Sequence, residues 1–83
     1  NWGGIVFINY PILNFRAGKD SVTFRLEGSD LLRAQMRLLG FSREVLTKIS
    51  VEQKVKSSYK PVHSSRIGFY ELTGAGMVRI TRK

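Results

Sequence analysis

The 83-residue chain contains no cysteine and a single histidine, and these absences limit its chemistry. Without cysteine it can form neither disulfides nor thiolate metal sites. His63 alone cannot build a zinc site from histidines, and no serine lies in the sharp strand–turn–helix sequence that presents a hydrolase nucleophile. We therefore predict no metal, no cofactor and no enzymatic activity.

Long hydrophobic runs are also absent. The longest, Ile5–Ile8, is far too short to cross a bilayer, and neither a secretory leader nor a Lys-rich amphipathic helix is present. We expect no membrane partner, and an intracellular location is favoured over secretion. Because the chain begins with Asn rather than Met, we expect it to be excised or processed from a longer protein.

Carboxylates are scarce and unevenly placed. Fourteen Lys and Arg stand against six Asp and Glu, for a formal net charge of +8, and residues 43–83 carry +6 of it. No carboxylate occurs from Gln53 to Tyr70, which we call the basic segment. Its cations alternate with serines and aromatic residues, the types that contact phosphates and the faces of bases or sugars. A polyanionic partner is therefore predicted.

The first third of the chain has the pattern of β-strands. Ile5–Tyr10 is apolar on both faces, as in a strand that is covered on both sides. A hairpin follows, with strands at Ile12–Arg16 and Ser21–Glu27 around a four-residue loop. Pairing Arg16 with Ser21 predicts a core face formed by Leu13, Phe15, Val22, Phe24 and Leu26.

The pattern of residues 29–40 predicts an α-helix. Ser29 is a favourable N-cap, Asp30 lies where the helix dipole favours a negative charge, and Gly40 fits the left-handed position that ends a helix. Arg33 and Arg37 lie four residues apart on one side, either in solvent or in contact with phosphate. The other side is predicted to be core and consists of Leu31, Leu32, Gln35, Leu38 and Leu39.

Alternation returns in residues 48–56 and predicts a strand with one apolar side. The outer side is mostly basic and consists of Lys48, Ser50, Glu52, Lys54 and Lys56. Residues 57–65, with Pro61 and two Ser-Ser pairs, predict a loop, and loops often carry binding groups.

The C-terminal residues predict a hairpin around a turn at residues 73–76. In this register Phe69 pairs with Ile80 on the core face, whereas Tyr70 pairs with Arg79 on the outer face. The two glycines of the turn do not suggest a phosphate-binding loop, because strand-like alternation rather than a helix follows them.

Together these elements predict an α+β fold for a single compact domain, residues 1–83. A small antiparallel sheet built from hairpins packs on one main α-helix, in the order β-β-β-α-β-β-β. The order strand, Gly, helix, Gly-Phe and final strand is similar to the swapped-hairpin transcription-factor and toxin domains of the AbrB type. This similarity covers less than half of the chain and implies no site residue. The residues that carry it are Leu26, Gly28, Leu32, Gly40, Phe41 and Met77–Thr81.

The candidate site is a basic, aromatic-containing sheet face with its adjoining loop. We expect nucleic acid as the partner, DNA or RNA, with cations on phosphates and tyrosines against bases. The alternative partner is an acidic protein, the chain then being a basic interaction or structural module of a larger, ribonucleoprotein-like assembly. The sequence leaves the oligomeric state open. The predicted nucleic-acid-binding residues are Lys54, Lys56, Tyr59, Lys60, His63, Arg66, Tyr70, Arg79, Arg82 and Lys83.

Overall fold

The computed structural model of the chain describes residues 3–82, apart from the side chains of Val55 and Ser65. Within this range it contains nine strands and one five-residue helix. In chain order these are β1 (Ile5–Ile8), β2 (Ile12–Ala17), β3 (Ser21–Glu27), β4 (Arg33–Leu39), α1 (Arg43–Thr47), β5 (Ile49–Val55), β6 (Ser58–Pro61), β7 (Ser64–Arg66), β8 (Phe69–Thr73) and β9 (Ala75–Arg82). No helix in the described range has the length and apolarity needed to cross a membrane.

The strands form two antiparallel sheets that share one hydrophobic core. The four-stranded sheet has the order β1-β4-β8-β7, and the five-stranded sheet has the order β2-β3-β9-β5-β6. The fold is therefore a hairpin-rich β-sandwich, and the predicted α+β fold with one main helix is wrong. The largest fully buried side chains are those of Phe24, Leu26, Met36, Leu72, Val78 and Ile80.

Alternation of inner and outer residues explains β3 and β5. In β5, Val51 is buried and Lys54 is exposed, as the sequence predicts, and the polar Gln53 on the inner side is buried as well. The same alternation in β3 exposes Arg25 and Glu27. It buries Val22, Phe24 and Leu26.

Residues 33–39 form β4, so the helix predicted at residues 29–40 is wrong. Most of these residues are good helix formers, but pairing with β1 on one side and β8 on the other overrides that propensity. Leu31 and Leu32 precede the strand and are exposed, against the prediction that they are core. Strand alternation instead buries Ala34, Met36 and Leu38.

β8 and β9 lie in different sheets, so the predicted C-terminal hairpin is also wrong. β8 pairs with β4, whereas β9 pairs with β3 and β5. The chain crosses between the sheets at Gly74, whose N–H donates to the carbonyl of Leu32 and whose carbonyl accepts from Gly28, both at 2.8 Å. A Cβ on Gly74 would lie 2.6 Å from the carbonyl oxygen of Ser29, so glycine here serves a close crossing rather than a hairpin turn.

The β2–β3 hairpin is confirmed, but its register differs from the prediction. Arg16 pairs with Thr23 rather than with the first residue of β3, and the register shifts between Leu13 and Arg16. Asn14 lies inside this β-bulge with a φ of +54°. Leu13 consequently pairs with Arg25 and is exposed instead of belonging to the core.

The loop predicted at residues 57–65 contains β6 and part of β7. β6 returns antiparallel to β5 after a tight turn in which Lys56 has a φ of +61°. Tyr59 and Lys60 therefore lie on an edge strand of the five-stranded sheet rather than in a loop.

Candidate functional site

The ring of Tyr59 lies near two cations on the outer face of the five-stranded sheet. Tyr59 pairs with Lys54 across β6 and β5. The guanidinium carbon of Arg79 lies 4.0 Å from the centroid of the Tyr59 ring, and Nζ of Lys54 lies 5.9 Å from it. A cation at this distance is attracted by the quadrupole of the ring. We call these three residues the Tyr59 cluster.

Glu52 orients the guanidinium of Arg79. The two residues are opposite one another on β5 and β9, and Nη2 and Nε of Arg79 donate to Oε1 of Glu52 at 2.8 and 3.1 Å. Both side chains are about a third exposed, so water screens the pair, which contributes about 1 kcal/mol or less. The ion pair therefore holds the position of Arg79 only weakly.

A basic groove adjoins the Tyr59 cluster through Lys54. The groove has a volume of about 430 Å³, and Arg25, Lys54 and Lys56 outnumber its one carboxylate, Glu27. An adjoining depression of about 370 Å³ shares both lysines and adds Asp30. The groove is also lined by Leu26, Gly28, Ala75, Gly76 and Met77.

Gly76 forms part of the floor of the basic groove. Its φ is +112°, and a Cβ built on it would lie 2.7 Å from the carbonyl oxygen of Lys54. Glycine satisfies both the backbone conformation and the close approach. The backbone of β9 consequently approaches the backbone of β5 closely at this point.

Four of the predicted site residues meet in this region, and two residues that sequence reasoning missed join them. The additional residues are Arg25 and Glu52. Arg25 lies near Lys54 because β3 and β5 are the two neighbours of β9 in the sheet. This strand order leaves no local signal in the sequence around Arg25. Glu52 could be found only once its partner strand was known. The four predicted residues are Lys54, Lys56, Tyr59 and Arg79.

Lys60 and His63 lie apart from the Tyr59 cluster. Lys60 pairs with the buried Gln53, so its side chain leaves β6 on the side opposite to Tyr59. His63 is exposed in the connection between β6 and β7, beside a depression that also contacts Tyr70. Neither residue lines the basic groove.

Arg82 and Lys83 are at the end of the chain. Nη2 of Arg82 donates to the carbonyl of Lys19 at 2.9 Å, which places Arg82 beside the loop between β2 and β3. Lys83 lies outside the described residues.

Tyr70 belongs to the core, so its predicted position on an exposed face is wrong. Alternation in β8 buries Tyr70 and Leu72 and leaves Phe69 only partly buried, the reverse of the predicted hairpin. Burial raises the pKa of the Tyr70 hydroxyl above its ordinary 10.0, because the phenolate would lose hydration. A buried ring cannot stack on a base in this fold.

Arg66 belongs to a row of alternating aromatic and arginine side chains on the outer face of the four-stranded sheet. Strand pairing links Phe7 to Arg37, Arg37 to Phe69, and Phe69 to Arg66. The guanidinium carbons of Arg37 and Arg66 lie 5.0 and 4.3 Å from the Phe69 centroid. We call these four residues the Phe–Arg row.

An exposed apolar patch borders the Phe–Arg row. Ile5 of β1 pairs with Leu39 of β4, and their side chains are 67% and 43% exposed. Phe7, at 52% exposure, joins the patch to the row. The prediction that β1 is covered on both faces is therefore wrong.

Comparison of the chain with protein-family models, curated proteins and solved structures finds no match. The similarity to AbrB-type domains gains no support from these comparisons. Among residues 3–82, no group of three or more His, Asp or Glu side chains is placed to hold a metal ion. Function is therefore inferred from the geometry and charge of the surfaces described above.

Proposed function

We propose that this chain is a non-catalytic domain that binds single-stranded nucleic acid on the outer face of its five-stranded sheet. The observation that carries the proposal is the Tyr59 cluster beside the basic groove, with Lys54 common to both. Proteins that bind single strands without sequence preference combine a basic groove for the backbone with aromatic side chains for the bases.

The basic groove supplies the phosphate contacts in this proposal. Arg25, Lys54 and Lys56 line the groove, and Glu27 compensates only one of the three charges. When these side chains bind the phosphates of a nucleic-acid strand, they displace the salt cations that were condensed on it. Binding therefore weakens as the salt concentration rises. The nucleic-acid strand then runs along the end of the five-stranded sheet with its bases toward Tyr59.

The Tyr59 cluster supplies the base contact. A base stacked on an aromatic ring contributes about 1–3 kcal/mol, and the planar guanidinium of Arg79 is itself a stacking surface. Unpaired bases are free to stack, whereas those of a duplex are already stacked on one another. In the described part of the chain the single helix, α1, has five residues, so no long helix is present there to enter a major groove.

Salt dependence tests the phosphate contacts. The affinity for a short fluorescent oligothymidylate is measured over a salt series for the wild type, Lys54→Gln and Lys56→Gln. Each variant should reduce the slope of log affinity against log salt by about 0.7. Lys48→Gln is the matched control, because it removes the same charge from an exposed lysine outside the groove. Equal slopes for all four proteins would contradict the proposal.

Comparison with a polyanion that has no bases tests the stacking contact. Tyr59→Leu should weaken oligothymidylate binding by about tenfold, since stacking is lost, and leave binding to polyphosphate within about twofold. An equal loss for both polymers would mean that Tyr59 supports the fold of the groove and does not contact bases.

The second candidate function is binding of an acidic protein through the other sheet. The apolar patch and the Phe–Arg row favour it, because interface cores are rich in aromatic residues and arginine and poor in lysine. The clustered arginines disfavour a second copy of this chain and favour an acidic partner. The probe is a synthetic peptide of alternating Leu and Glu, followed by NMR. Phe7→Ser should abolish its binding, and unchanged binding would contradict this candidate.

A further inference from the structure

A cleft opens between the two sheets on the side where β1 and β2 are the edge strands. Its volume is about 550 Å³, within the range of pockets that hold small molecules. Val6 of β1 and Val22 of β3 line it from the two sheets, and Phe15 and Phe41 provide its aromatic surface. The cleft shares no lining residue with the basic groove.

The β-bulge in β2 accounts for the position of Phe15 in this cleft. Asn14, in its left-handed conformation, shifts the register so that Phe15 has no partner in the ladder. The Phe15 ring stacks on the buried Phe24, with centroids 6.4 Å apart and an angle of 17° between the planes. Phe15 nevertheless remains 52% exposed, so one part of the ring is held by the core while the rest is open to a ligand.

Phe41 forms the second aromatic surface of the cleft and depends on Gly4. A Cβ on Gly4 would lie 2.0 Å from the Phe41 ring, so only glycine lets the ring lie against the backbone ahead of β1. The Phe41 ring is therefore packed closely against the backbone of Gly4 at the cleft.

Lys19 is the one charged residue among those that line the cleft. It lies in the β2–β3 loop, which is held by a hydrogen bond from Gly18 N–H to the carbonyl of Ser21 at 2.8 Å and by the bond from Arg82 to the Lys19 carbonyl. Among the described residues, no carboxylate lies within 4.0 Å of the Lys19 ammonium to neutralise it.

From the two phenylalanines, the volume and the single cation, we propose that the cleft is a binding site for a small ring-shaped ligand with one anionic group. The ring lies against Phe15 and Phe41, and the anionic group faces the Lys19 ammonium. The site is independent of the nucleic-acid surface and goes beyond the proposed function.

Titration by NMR with 2-naphthoate and with the neutral 2-naphthalenemethanol tests this inference. Wild-type protein should bind the carboxylate about fivefold more tightly than the alcohol, because one exposed ion pair is added. Lys19→Gln should abolish this preference, and Phe15→Ala should weaken both ligands about tenfold. Lys19 is exposed in a loop, so its substitution tests the site without disturbing the core.

Phe7→Ala is the control for Phe15→Ala, because Phe7 is 52% exposed like Phe15 but lies on the outer face of the other sheet. Lys48→Gln is the control for Lys19→Gln, because Lys48 is an exposed lysine that does not line the cleft. Both controls should change the affinities less than twofold. The inference is overturned if Phe7→Ala weakens naphthoate as much as Phe15→Ala does. It is also overturned if wild-type protein does not distinguish the carboxylate from the alcohol, or if Lys19→Gln retains the preference.

Discussion

The side chain of Gln53 occupies the place of a strand partner for the backbone of Thr73. Oε1 of Gln53 accepts from the Thr73 N–H at 3.0 Å, and its Nε2 donates to the carbonyls of Thr73 at 2.9 Å and Ala75 at 3.2 Å. Gln53 is only 3% exposed and carries its amide group into the core. It therefore ties β5 to the segment where the chain crosses between the sheets.

Gln53→Leu should lower the free energy of unfolding by about 3 kcal/mol, because the Thr73 N–H and the Thr73 carbonyl both lose their Gln53 partner, whereas the Ala75 carbonyl keeps its bond from the Thr73 hydroxyl. Urea denaturation measures the effect. Gln35→Leu, at an exposed position of β4, is the matched control and should change stability by less than about 0.5 kcal/mol. Equal losses would show that the Gln53 hydrogen bonds contribute little.

The raised pKa of Tyr70 predicts a loss of stability at high pH. The unfolded chain ionises Tyr70 near pH 10.0, below the pKa in the folded protein, so the unfolded state binds fewer protons above this pH. The contribution of Tyr70 is therefore intact below the unfolded pKa and decreases as pH rises through the folded pKa. Urea denaturation across this range should show a steeper decline for the wild type than for Tyr70→Phe. Parallel declines would contradict burial of the hydroxyl.

Gly76→Ala should destabilise the protein by about 1–3 kcal/mol, because alanine is strained at a φ of +112° and its Cβ would collide with the Lys54 carbonyl. Thermal unfolding provides the measurement. Gly18→Ala is the control, since a Cβ there would lie at an ordinary 3.5 Å from the Ser21 carbonyl oxygen. If the two substitutions cost the same, the close approach of β9 to β5 is not as described.

Glu52→Gln should tighten oligothymidylate binding about threefold at low salt, because it releases Arg79 from its ion pair and removes a negative charge beside Tyr59. Glu71→Gln is the matched control. Its carboxylate lies on the four-stranded sheet, with Oε1 3.9 Å from Nη1 of Arg33, and its removal changes the net charge equally. If Glu71→Gln tightens binding as much, the effect is one of net charge and the location on the Tyr59 cluster is wrong.

The sequence predicts those parts of the fold that local alternation determines. β3 and β5 have apolar and polar residues at period two, and their inner and outer sides follow directly. Residues 33–39 have the same period, but their composition favours helix, and the exposed Leu31 and Leu32 complete a false helical face. Tertiary pairing decides between the two periods, and a single sequence does not contain that information in readable form.

The sequence likewise predicts only part of the candidate site. Lys54, Lys56 and Tyr59 are close in sequence across one tight turn, so the basic segment locates them. The sequence correctly predicts that Arg79 lies on an outer face, but it predicts Tyr70 as the partner, whereas Arg79 pairs with Glu52 because the predicted hairpin does not form. Turn-like glycines at residues 74 and 76 signal a reversal of the chain as readily as a crossing between sheets.

Mapping the contact surface by NMR shows whether single-stranded nucleic acid binds the outer face of the five-stranded sheet. Amide and tyrosine ring resonances are followed as a short oligothymidylate is added to the wild-type chain. We expect saturable shifts at Tyr59, at Arg79, and along the basic groove at Arg25, Lys54 and Lys56, with the Phe–Arg row unchanged. Shifts confined to the Phe–Arg row and the apolar patch, or no saturable shift at all, would contradict binding at the Tyr59 cluster.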